Sequence, residues 1–292
     1  MRRRDGRRSV SARPGAGNGL GPLEFGRGLQ VGARAPILGA MGKLCWTLSF
    51  LALAAPAWSQ TLEDDPAANY QSCLEAVATQ PDHGLEQALA WAEADGGNAA
   101  RHCLALALAA AGDYVAAARG LEVLAGESAE APARAGLHAQ AGQLWLLADR
   151  AQAALAAFDA ALAEMPGDIE MLIDRARSHA AARDYRAAIA DLDGVVARAP
   201  DHDEALVFRA AAHRRVGDFE AAAADLERAL TLNPANADAL VERGAVRLYD
   251  NDEAAARADF GAAIMLAPTT PAAALAREFL NELERERKWR GN

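Results

Sequence analysis

Pro166, Pro200, Pro234 and Pro268 recur at one constant interval of 34. A fixed period of that length, in a chain with no strand-like alternation, restricts the fold to one helical hairpin copied in tandem. Each copy then buries its apolar face only against its neighbours. Other series run in phase with the prolines. Gly142, Ala176, Ala210 and Gly244 are all tiny, as are Ala154, Ala188, Ala222 and Ala256, and as are Ala161, Val195, Ala229 and Ala263 with one valine. Phe158, Leu192, Leu226 and Phe260 are all large and apolar. The small residues lie where two antiparallel helices cross, since bulk there would push the axes beyond about 8–10 Å. The large residue fills the gap beside them. Each proline follows the second helix, where a fixed φ and a missing N–H end it.

Between the two helices come Gly112-Asp113-Tyr114, Arg183-Asp184-Tyr185, Gly217-Asp218-Phe219 and Asn251-Asp252-Glu253. Gly or Asn suits a left-handed C-cap there, and Asp suits the following N-cap. Ungapped units run over 135–168, 169–202, 203–236 and 237–270. A fifth covers roughly 98–131, followed by about three extra residues. A sixth hairpin near 67–94, within 60–97, is degenerate: Pro81 interrupts it and its alanines are out of register. After Pro271, Leu275, Phe279 and Leu283 recur every four positions and predict a last helix over 271–292.

The small site, the Gly-Asp-aromatic turn, the second-helix alanine and the terminal proline together resemble the tetratricopeptide repeat family. The resemblance implies an all-α, right-handed superhelical solenoid of antiparallel hairpins, with residues 271–292 as its capping helix. Trp289 is expected either to pack back on that cap or to mark a self-association contact, so a homo-oligomer is one expected state.

Upstream of the repeats the character changes. Residues 1–40 carry eight arginines among many glycines, then Met41-Gly42-Lys43 leads into an apolar run from Leu44 to Ala55 and Pro56-Ala57-Trp58-Ser59-Gln60. A basic start, a short apolar stretch and a small-x-small site make residues 41–59 a predicted secretory signal cleaved between Ser59 and Gln60. The apolar run is too short to span a bilayer, which takes about 20 residues. Two readings of residues 1–40 are open: a basic arm, or a start assigned too early with Met41 as the true one. The scarcity of lysine beside abundant Arg, Ala and Gly favours the second, because translated GC-rich upstream DNA has this composition. The expected location is the periplasm of a Gram-negative-like cell, or another exported site. Without residues 1–59 the chain has 21 basic and 38 acidic residues, a net charge of −17. That balance argues against nucleic acid and anionic lipid as partners.

Cys45 falls in the signal, leaving Cys73 and Cys103. An even pair in an exported chain predicts a disulfide between the first helices of neighbouring units. It would close a loop of about 30 residues, with stabilisation of about 2–4 kcal/mol. Separate buried thiols are the alternative.

Arg175, Arg209 and Arg243 recur at 34, and Asp191, Asp225 and Asp259 follow them by 16. The two sites are nearly equidistant from the interhelical turn, which predicts three ion pairs within units rather than an arginine-lined anion site. His179 and His213 take the position of Trp145 one and two units on. A packed aromatic role is expected for them, because no third ligand has metal-site spacing. No phosphate loop and no nucleophile motif is present. The sequence therefore predicts no catalysis, no metal and no cofactor.

In the resembled family the first helices line the concave face, where partner peptides lie. The residues this places there are Gln140, Gln143, Asp174, Arg177, Phe208, Arg214, Arg215, Glu242 and Tyr249, with Phe208 and Tyr249 as exposed aromatic anchors. The carboxylate grip of co-chaperone members is not expected, because Ile173 and Val207 stand where it needs polar donors. The expected function is an exported scaffold that binds a protein or peptide. The alternative is a non-catalytic subunit of a larger envelope complex.

Overall fold

The computed structural model describes residues 66–290. Residues 1–65, which hold the expected extension and signal, lie outside the described residues. Thirteen helices and no strand occur among the described residues. They run in chain order as α1 (Pro66–Thr79), α2 (Pro81–Glu93), α3 (Gly97–Ala110), α4 (Tyr114–Glu127), α5 (Ala131–Leu147), α6 (Ala151–Glu164), α7 (Ile169–Ala181), α8 (Tyr185–Arg198), α9 (Asp203–Val216), α10 (Phe219–Leu232), α11 (Ala237–Tyr249), α12 (Glu253–Leu266) and α13 (Pro271–Arg290). Each helix packs on the next, and the first helices of neighbouring hairpins also touch: α1 on α3, α5 on α7, α7 on α9, α9 on α11 and α11 on α13. This is an all-α solenoid of hairpins with α13 laid over its last unit.

The turns follow from local chemistry. Asp113, Asp184, Asp218 and Asp252 each cap a second helix by accepting a hydrogen bond from the backbone N–H three positions on. The residue before each cap is left-handed: Gly112, Arg183, Gly217 and Asn251. Asp149 is left-handed too, but the residue after it is Arg150, which caps nothing. This one turn has its Asp and Arg in the reverse order. Arg150→Asp is expected to stabilise the protein by about 1 kcal/mol, read from the shift in a urea melt. The prolines of the ruler lie two positions past the last residue of α6, α8, α10 and α12.

Packing pairs the small and large series. An added Cβ at Gly142 would sit 2.7 Å from the Phe158 ring, and one at Gly244 2.5 Å from Phe260. Where the small site is Ala176 or Ala210, the facing residue is Leu192 or Leu226. Glycine therefore accompanies phenylalanine and alanine accompanies leucine, so that each hairpin conserves its summed volume. Gly244→Ala is expected to cost about 1–2 kcal/mol by overpacking. Gly244→Ala with Phe260→Leu should recover part of that loss in the same melt.

Two departures from the period are resolved. The extra stretch before 135 extends α5, which has 17 residues where α7 and α11 have 13. Arg134 in that added turn pairs with Glu164 at 2.8 Å and donates to the carbonyls of Ser128 and Ala129. In the first hairpin Pro81 does not interrupt a helix. It opens α2, where a missing N–H costs nothing, and only Gln80 separates α1 from α2. A disulfide joins Cys73 to Cys103, both fully buried, and ties α1 to α3.

Candidate functional site

The first helices α5, α7, α9 and α11 lie side by side, and positions four and then three apart on each share one face. Gln140, Asp174, Phe208 and Glu242 occupy one row, one residue from each unit. Gln143, Arg177, Ala211 and Ala245 occupy the next. Core-facing rows keep one size and apolar class from unit to unit, whereas these rows change in charge or polarity at most steps.

Most polar groups on this face hold one another. Gln143 donates to Asp174 Oδ2 at 2.8 Å, and Arg177 pairs with Asp174 Oδ1 at 2.7 Å. Two donors on separate oxygens account for the burial of that carboxylate. Arg177 then lies over the Phe208 ring, 5.9 Å from its centroid. Phe208 also packs against the main apolar core, so it is half-buried rather than the exposed anchor expected of it. Arg214 pairs with Glu242 at 2.8 Å, and Glu242 is only 4% exposed. Arg215 donates to the Tyr185 hydroxyl at 2.8 Å and stacks on its ring. Tyr249 stands one unit on from Arg215. It stacks on Phe219 with centroids 3.5 Å apart and remains 62% exposed. Gln140 accepts from His102 Nε2 at 3.0 Å, while the Tyr70 hydroxyl lies 2.7 Å from His102 Nδ1. With Nε2 as the donor, Nδ1 accepts from Tyr70, so one tautomer satisfies both bonds. The chain Tyr70–His102–Gln140 links α1, α3 and α5.

Three carboxylates on the same helices stand apart from these pairs. Glu170, Glu204 and Asp238 recur at 34 in the first turns of α7, α9 and α11. Glu170 lies 3.7 Å from His202. Desolvation pushes the Glu204 carboxyl up against the pull of Arg177, with Glu170 and Asp203 adding to the rise. Desolvation, and after it the neighbouring Glu242, push Asp238 up.

The arginine series does more than link the helices of one hairpin. Arg175 grips Asp191 through Nε at 2.9 Å and Nη2 at 2.6 Å, and its Nη1 donates to Asp159 at 2.8 Å. Arg209 repeats this on Asp225 and Asp193. Each of these two guanidinium groups therefore joins its own second helix to that of the preceding unit. Arg243 holds Asp259 in two bonds, and Arg247 adds a third at 2.6 Å. Asp159, Asp193 and Glu227 form their own series at the repeat period, a signal that would have disclosed the bridges. His179 lies 3.9 Å from Asp191, and His213 lies 3.5 Å from Asp218. Each keeps to an aspartate of its own unit. No group of three metal-ligating side chains occurs among the described residues.

Residues 203–236 match the family model described as Tetratricopeptide repeat. The structure of the C-terminal part of a TPR repeat-containing protein from Cytophaga hutchinsonii superposes with a TM-score of 0.54. It is 12% identical over 68% of this chain and 79% of that one. A MamA RS-1 double mutant gives 0.51 at 19% identity, over 59% of this chain and 95% of that one. A further MamA structure gives 0.50 at 14% identity, over 56% and 95%. No curated protein matches the chain in sequence. One unit of the array thus matches the tetratricopeptide repeat, and the in-phase hairpins on either side of it share the fold of these TPR structures.

Proposed function

We propose that this protein is an exported, non-catalytic scaffold that takes a segment of a protein partner along the concave face formed by its first helices. The observation that carries this reading is the contrast between rows. Positions facing the core keep one size and apolar class from unit to unit, all small or all large, whereas Gln140, Asp174, Phe208 and Glu242 change between polar, charged and aromatic. Packing alone would keep an equivalent position equivalent, so a row that differs at each step suits a surface fitted to something irregular. The first helices also touch across units, which supports an inward curvature on their side. The pre-formed pairs Arg177–Asp174 and Arg214–Glu242 hold those side chains in place before any partner arrives, which lowers the entropy lost on binding.

The buried disulfide supports export, because such bonds persist in oxidising compartments. No described helix is long and apolar enough to cross a membrane. Phe208→Ala and Tyr249→Ala should each weaken recovery of the partner in pull-downs, while Asp193→Ala on the second-helix side leaves it intact. Equal recovery by all three variants contradicts the assigned face. N-terminal sequencing of the secreted chain should begin at Gln60, and a mature start upstream of residue 50 contradicts the expected signal.

A further inference from the structure

The helices that open each unit start in phase: α7 at 169, α9 at 203, α11 at 237 and α13 at 271. Yet α13 has 20 residues where α7 and α11 have 13. Its surplus of about two turns, about 10 Å of helix, extends past the level at which the others stop. Arg257 of α12 holds Glu284 at the root of this extension. Beyond it Arg285, Glu286, Arg287, Lys288 and Trp289 are all exposed, Trp289 at 82%. Trp289 therefore does not pack back on the cap. Arg287 turns back to Glu284 at 2.9 Å, and a tip that still carries Arg285, Lys288 and a bare indole is unusual in a chain whose residues 60–292 have a net charge of −17. Lys288 is the one lysine after residue 43.

The first-helix face has the opposite surplus. Arg177 is bound to Asp174, Arg214 to Glu242 and Arg215 to Tyr185. Among the described residues, the acidic row Glu170, Glu204 and Asp238 has no arginine within hydrogen-bond reach; His202 lies 3.7 Å from Glu170, and Arg177 acts on Glu204 without a hydrogen bond. A cationic segment is what this face would attract, with an aromatic anchor able to rest beside Phe208 and Tyr249.

We infer that the projecting tip of α13 in one molecule docks on the first-helix face of a second copy, setting Arg285 and Lys288 against Glu204 and Asp238. The inference rests on the reading of that face as the binding surface. The contact is heterologous, joining two different patches, so it leaves a free tip and a free face at the ends of any open assembly. Association depends on charge at both patches and on the indole that anchors the tip.

A charge swap in the full chain tests this by sedimentation velocity. Wild-type protein should increase about two-fold or more in weight-average mass between low and high micromolar concentration. R285E/K288E alone and E204R/D238R alone should each weaken self-association by about 100-fold, with helical circular dichroism unchanged. Mixing the two should restore complexes, because the unchanged tip of one variant fits the unchanged face of the other and the reversed tip fits the reversed face. W289A should weaken association with no change of charge. A wild-type chain that stays monomeric overturns the inference, as does a mixture that fails to restore binding. A monomer that sediments with phosphatidylglycerol vesicles through Lys288 assigns the tip to a lipid surface and also overturns it. If the monomer still loses its partner on Phe208→Ala, the scaffold reading survives while this one fails.

Discussion

Arg209→Ala is expected to destabilise the solenoid by about 2–4 kcal/mol in chemical denaturation. The guanidinium is 18% exposed and the Asp225 side chain 10%, so neither charge can be rehydrated in place once the other is gone. The cost comes mainly from the stranded carboxylate, which loses two bonds of 2.8 and 2.6 Å. The exposed partner Asp193 can turn to water and adds little. Removing both members should therefore cost less than the two single changes summed, by about 1–3 kcal/mol, and strict additivity would contradict a direct pair. Arg243→Ala supplies an internal control. Arg247 remains 2.6 Å from Asp259, so that carboxylate keeps a cation and the loss should be smaller. Equal losses at 209 and 243 would show that the second arginine does not compensate.

Replacing both cysteines by serine is expected to cost about 2–4 kcal/mol, confined to the N-terminal end. The bond spans a sequence separation of 30, and its sulfurs are fully buried among Ala88, Ala107 and the partly buried Tyr70, Leu74, Val77, Leu85, Trp91 and Leu104. That cluster is the smallest of the three among the described residues, and α1, the first described helix, packs on α2 and α3. Removal should raise hydrogen exchange over residues 66–93 far more than over 169–266, because stability in a repeat array is a sum of neighbour terms. Uniform exchange across the array would contradict a local staple. Native wild-type protein should show no titratable thiol, and two free thiols after unfolding without reductant would contradict the bond.

The repeat core was legible because its signals are local and recur at one period. Turn residues, caps and small-site residues act within one hairpin, and the resemblance they support led directly to the solenoid. The first hairpin was less legible for a simple reason. Gly84 is the fourth residue of α2, as Ala117, Ala154, Ala188, Ala222 and Ala256 are the fourth residues of α4, α6, α8, α10 and α12. Gly84 stands one position closer to Ala117 than the period requires, so a strict ruler passes over it. A Cβ there would lie 2.6 Å from the Val77 backbone, which is why the site holds glycine.

The internal pairing of the first-helix face was not legible at all. Gln143 meets Asp174 at a separation of 31, and Arg214 meets Glu242 at 28. These are contacts between parallel neighbours offset by about one or two helical turns from the repeat, so they appear in no series. The same offset hid the contact of Arg177 with Phe208 of the next unit, whose ring also packs on the core. Side chains that sequence placed on one open face are largely committed to each other, leaving Tyr249 and the acidic row as its accessible features.

The most direct test of the assigned surface is in-cell photocrosslinking with a benzophenone residue at one position at a time. Phe208 and Tyr249 represent the first-helix face, while Glu220 and Glu227, both on the second helix α10, represent the other side. Discrete adducts from 208 and 249, with none from 220 and 227, are the expected result. Adducts from 220 and 227 with none from 208 or 249 would contradict the account and move the binding surface to the second helices.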